Sequence, residues 1–126
     1  MIKTEGIDHV ALAVRDVERS AAWYQEVLGL SRLHQEAWGS YPAVVGTEST
    51  AIALFPIEGE AESPPGRNQI AMRHLAFRVS REELARARIE LIGRGIETEF
   101  QDHGIAHSIY FTDPDGHQLE FTTYEV

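Results

Sequence analysis

The chain contains no cysteine. Disulfides, thiolate metal sites and cysteine nucleophiles are therefore excluded, and any metal ion must be held by His, Asp or Glu. Those donors suit Fe(II), Mn(II), Zn(II) or Ni(II). Positive charge is scarce too. There are 11 Lys and Arg against 20 Asp and Glu, a formal net charge of −9. No basic cluster offsets this balance, so neither nucleic acid nor a membrane surface is an expected partner. No apolar run is long enough to span a bilayer, and residues 1–6 have no leader character, so a cytoplasmic soluble protein is expected.

What is present is a globular composition. The chain has 126 residues, of which 43% are hydrophobic, enough for one domain or two small halves that share a core. Hydrophobic periodicity divides it into a pattern that occurs twice. Residues 7–14 alternate as a strand, with Val10, Leu12 and Val14 on one face and His9, Ala11 and Ala13 on the other. Asp16 then caps a helix whose stripe is Val17, Ser20, Ala21, Tyr24, Val27 and Leu28, and Gly29 ends it. Three strands follow, near 31–36, 42–45 and 50–55.

The Pro-, Gly- and Glu-rich stretch 56–69 reads as a linker, with Glu58 to Glu62 as a solvated acidic run. The pattern then restarts. Residues 72–79 alternate, with Leu75, Phe77 and Val79 on one face and His74 on the other. Ser80 and Glu83 form a capping box for a second helix with a stripe of Leu84, Ala87, Arg88 and Leu91, ended by Gly93 or Gly95. Strands are expected near 97–101, 107–112 and 118–123. The expected organisation is one domain over 1–126, with a first module at about 5–56, a linker at about 57–69 and a second module at about 70–126.

The last strand carries the most chemistry. Asp113-Pro-Asp-Gly116 is a turn by composition. After it, Gln118, Glu120 and Thr122 share one face and Leu119, Phe121 and Thr123 the other. Glu120 thus sits at mid-strand, where a carboxylate needs water, a counter-charge or a metal. His9 and His74 hold the same place in the two copies. If the halves pack with pseudo-twofold symmetry, both imidazoles point into one cleft.

Asp8-His9-Val-Ala-Leu-Ala-Val14, Trp23-Tyr24 before Leu28-Gly29-Leu30, His74-Leu-Ala-Phe77 and Tyr110-Phe-Thr-Asp-Pro-Asp-Gly-His-Gln-Leu-Glu120 together resemble the vicinal oxygen chelate superfamily. This superfamily includes glyoxalase I, extradiol dioxygenases, fosfomycin-resistance thiol transferases and bleomycin-binding proteins. The resemblance covers nearly the whole chain. It implies an α+β fold of two βαβββ modules that form a curled mixed sheet around a metal-binding cleft. It also implies a divalent metal held by His9, His74 and Glu120, which would leave open positions for a small substrate that chelates through adjacent oxygens. Modules of this kind often pair across a homodimer, and in some relatives two chains build the site.

Within the superfamily, glyoxalase I usually adds a Glu from the fourth strand, and here that place falls on Ala53. A glyoxalase-like lyase or isomerase would then need a water instead. The phosphonate-binding positions expected of a fosfomycin transferase carry Ala11, Phe100 and Gly104 in place of cationic and hydroxyl groups, which with the acidic net charge counts against that option. Bleomycin binders generally lack the metal triad, although a sequestration module without catalysis remains an alternative. The extradiol signature is matched in order by His103, Ile109-Tyr110, Asp113-Pro-Asp-Gly116 and Glu120, with one departure at Gln101. It implies that Tyr110 bonds a substrate oxygen and that His103 or His107 moves a proton.

The other candidates have ordinary readings. His34, His107 and His117 are not expected to be ligands, and His117 is expected to face solvent. Trp38 and Tyr41 either line an apolar pocket or pack against the sheet, while Trp23 and Tyr24 pack the helix. Arg73 and Arg78 flank the second histidine, and Arg78 shares its face, where it would bind an acidic substrate group or form a surface ion pair.

Overall fold

A computed structural model describes residues 1–126. The chain forms two compact units, Met1–Glu62 and Ser63–Val126, each a βαβββ module with its own four-stranded mixed sheet.

In the first unit the strands are β1 (Val10–Val14), β2 (Ser31–Leu33), β3 (Ala43–Gly46) and β4 (Ala51–Pro56), in the order β1-β4-β3-β2. β1 runs parallel to β4, and the other pairs are antiparallel. Helix α1 (Val17–Leu28) starts where Asp16 accepts a hydrogen bond from the Arg19 N–H, and it stops at Gly29, whose φ of 67° is the left-handed turn that glycine permits. Its buried Ser20, Ala21 and Tyr24 pack on β3 and β4, on the face that carries Leu12, Val14, Ile52, Leu54 and Val45. β2 is shorter than expected. The chain turns at His34, with φ 60°, into a single helical turn, α2 (Gln35–Trp38). Trp38 lies half-exposed against His34, and Tyr41 meets Phe55 edge to face, so both aromatics make local packing contacts.

The second unit repeats the plan. Its strands are β5 (Leu75–Arg78), β6 (Glu99–Asp102), β7 (His107–Thr112) and β8 (Gln118–Thr123), in the order β5-β8-β7-β6. Ser80 caps α3 (Arg81–Gly93) by accepting from the Glu83 N–H. Leu84 and Leu91 bury the helix against the face of β7 and β8 that holds Ile109, Phe111 and Leu119. Arg88 departs from the expected apolar stripe. It is exposed and its guanidinium lies over the Phe100 ring. Residues 57–74 carry no helix or strand, and the Glu58–Glu62 run is exposed.

Two glycines give opposite expectations. A Cβ at Gly46 would collide with the backbone carbonyl of Thr50 in the tight β3–β4 turn, whereas a Cβ at Gly93 would meet nothing. Gly46→Ala is therefore expected to cost about 2 kcal/mol or more, and Gly93→Ala to gain up to about 1 kcal/mol. Urea denaturation of both variants checks the pair.

Candidate metal centre

Alternation sorts the second sheet into two faces. One face is apolar and packs on α3. The other carries Gln118, Glu120 and Thr122 from β8, Ser108 and Tyr110 from β7, and Glu99 and Gln101 from β6, because Tyr110 pairs with Glu120 and Glu99, and Ser108 with Thr122 and Gln101. Ala76 pairs with Glu120 across β5–β8, so His74, two residues earlier, adds an imidazole to the same face. A polar strip therefore crosses the sheet at Glu120.

The Glu120 carboxylate is buried, with 6% of the residue exposed, and both its oxygens are engaged. Ser108 Oγ donates to Oε2 at 2.6 Å and lies 3.0 Å from Thr122 Oγ1. Oε1 lies 2.9 Å from Nε2 of His74, whose ring is partly open to solvent. Ser108 is a site residue beyond those that the sequence motifs carry. The signal was present, because Ser108 stands two residues before Tyr110 in an alternating strand and so must share its face.

His103 and Tyr110 also meet. His103 Nε2 is 3.0 Å from the Tyr110 hydroxyl, and the Tyr110 ring lies edge-on to both His74 and His103. Burial raises the pKa of the phenol, helped by the charge and hydrogen-bonding of Glu120 and by Glu99, while Ser108 works the other way. The shift widens the pH range over which the Tyr110 phenol keeps its proton.

His9 lies in the first unit, one residue before β1, as His74 lies one residue before β5. Its Nδ1 is 2.8 Å from Asp8, and half of its side chain is exposed. The two histidines thus begin their strands from just outside them. Ala53 pairs with Ala11 as Glu120 pairs with Ala76, so Ala53 is the first-unit counterpart of Glu120. No carboxylate stands there. No three His, Asp or Glu side chains of the chain gather as a metal-holding group.

Other expectations need correction. His117 is half-buried rather than exposed, and its backbone N–H and that of Asp115 both donate to Asp113 Oδ1, which closes the turn before β8. Arg78 lies over the Tyr124 ring, 4.8 Å from its centre, and makes a cation–π contact. His107 is 3.5 Å from Asp102, with its ring against Phe100, away from the Tyr110 pair.

Imidazole and carboxylate are donor types that suit a divalent metal. An imidazole nitrogen and a carboxylate oxygen already converge, and the second carboxylate oxygen is held by a hydroxyl, which fixes the direction of the first. In metal-free protein, the raised pKa of Tyr110 gives a folding stability that is complete below the ordinary tyrosine pKa and is lost as pH rises through the raised one. Glu120→Gln is expected to shift the phenol titration, followed by ultraviolet absorbance, back toward the ordinary value. An unmoved midpoint would contradict this electrostatic account.

Residues 6–121 match the Glyoxalase/Bleomycin resistance protein/Dioxygenase superfamily. A metallothiol transferase FosB of Lysinibacillus sphaericus is 31% identical over 94% of this chain and 82% of its own length. A glutathione transferase FosA of Serratia marcescens is 31% identical over 92% and 79%. A catechol-2,3-dioxygenase of Bacillus subtilis is 29% identical over 90% of this chain, which spans 40% of that protein. Among solved structures, a glyoxylase/bleomycin resistance protein/dioxygenase domain from Frankia sp. EAN1pec superposes with a TM-score of 0.80 at 24% identity, over 96% of this chain and 93% of its own. A glyoxalase/dioxygenase from Nostoc punctiforme gives 0.74 at 27% identity, over 94% and 90%. On the family match and the two 31% relatives, the chain belongs to the glyoxalase, bleomycin resistance protein and dioxygenase superfamily.

Proposed function

We propose that the chain is a divalent-metal-dependent enzyme for a small substrate with two adjacent oxygens, with His9, His74 and Glu120 as metal ligands and Tyr110 and His103 as the proton-handling pair. The observation that carries this reading is the convergence of His74 Nε2 and Glu120 Oε1 at 2.9 Å on a sheet face where Ser108 occupies the other carboxylate oxygen. A bound ion would supply Lewis acidity toward the substrate oxygens. The chain's own groups do the rest. Ser108 orients the carboxylate. Tyr110, as the protonated phenol, donates to a substrate oxygen, and His103, bonded to its hydroxyl, takes up or returns a proton there. The His9 ligand comes from β1's module, and the working form is a homodimer.

The most specific form of the proposal is extradiol-type cleavage of a catechol with Fe(II) or Mn(II). It is supported by the His103–Tyr110 pairing and by likeness to the catechol dioxygenase. Thiol transfer is the second reading, supported by likeness to the two transferases at 31% identity. A glyoxalase-like reaction ranks below both, because Ala53 stands where a fourth ligand would be.

Protein loaded anaerobically with Fe(II) is expected to take up oxygen with a catechol panel. No uptake, together with metal-dependent loss of a thiol in the presence of an electrophile, would move the assignment to transfer. Metal content after purification without chelator is expected to fall by about tenfold or more in His9→Ala, His74→Ala and Glu120→Ala, and metal affinity by about tenfold in Ser108→Ala. Undiminished metal in all four variants would remove the ligand assignment.

A further inference from the structure

The segment that leads into β5 has a linker's composition but a fixed course. Pro64 lies on the turn before β8, where a Cβ added at Gly116 would come within 2.9 Å of its ring. Gly66 and Gln69 close a turn on each other. The Gly66 N–H donates to the Gln69 side-chain oxygen at 2.7 Å, and the Gln69 N–H donates to the Gly66 carbonyl at 3.2 Å. That turn presents Arg67 to a cavity of about 550 Å³ that Arg73, His74 and Tyr110 also line.

Neither Arg67 nor Arg73 has an ion-pair or hydrogen-bond partner in the chain. Glu99 is the one carboxylate on the wall, and its Oε1 already accepts from Gln101 at 3.0 Å. A chain of net charge −9 thus leaves two guanidiniums unneutralised in one cavity, beside the imidazole that meets Glu120. A guanidinium offers a planar fork of donors that matches a carboxylate.

We infer that this cavity binds a carboxylate carried by the substrate, with Arg67 and Arg73 as the specificity-determining residues. Carboxylate binding is a property of the cavity itself. That the bound molecule is the substrate rests on the metal reading above. Arg67 and Arg73 hold the charged end, and the reacting oxygens lie toward His74 and Tyr110, which share the wall. Neutral analogues lack the anchor, so the site selects for a charged small molecule.

The test is calorimetric titration of metal-free protein with benzoate and with benzamide, its neutral near-isostere. Benzoate is expected to bind about tenfold or more tightly than benzamide. Arg67→Ala and Arg73→Ala are each expected to erase most of that preference, and Arg67→Lys to keep part of it. All three variants should retain the wild-type metal content and melting temperature. Equal binding of the two probes by wild type, or a preference that survives in the Arg67→Ala/Arg73→Ala double variant, would overturn the inference. If the carboxylate preference is present in a wild-type protein that takes up no metal, the cavity assignment stands and the metal reading falls.

Discussion

The second unit is built around a buried carboxylate. Glu120 lies in β8, which is bonded to β5 on one side and β7 on the other, so its backbone has no freedom to carry the side chain out to water. A carboxylate in such a place must be compensated where it stands. The register does this: β7 places Ser108 beside Oε2, and the residue just before β5 places His74 beside Oε1. The same register sets Tyr110 directly across from Glu120, and burial, aided by the Glu120 charge, raises the pKa of the phenol. The hydroxyl on one side and the imidazole on the other both compensate one acidic residue at mid-sheet.

The duplicated plan has diverged in its chemistry. In the first unit, the face that corresponds to the polar strip carries Ala11, Ala51, Ala53 and Val44, with Ala53 in the position Glu120 holds in the second. Small apolar residues there leave that face without a counterpart to the Glu120 carboxylate. The second unit keeps the carboxylate, its hydroxyl partner and the tyrosine–histidine pair. The superfamily assignment agrees with this division, because its members share the fold while the chemistry varies with the side chains placed on it.

Much of this was legible in the sequence because it depends on local rules. Asp16 and Ser80 cap their helices as their side chains predict, and strict alternation located β7 and β8 to the residue. The apolar stripe of α1 was readable for the same reason. Misreadings arose where tertiary contacts outweigh pattern. α2 is a single turn entered through a left-handed His34, too short for any periodicity to show. His117 is half-buried at the end of a turn that Asp113 closes by accepting from the backbone N–H groups of Asp115 and His117. Arg78 is turned onto Tyr124, a partner 46 residues later in the chain. The linker's composition concealed a pinned segment, because the Pro64–Gly116 contact that holds it is distant in sequence.

X-ray absorption of the protein loaded with a single equivalent of Mn(II) or Fe(II) tests the central claim most directly. The account predicts imidazole scattering from two histidines together with oxygen ligands, with one imidazole lost in His74→Ala and one in His9→Ala. A bound ion whose spectrum shows no imidazole, or does not change in either variant, would contradict it.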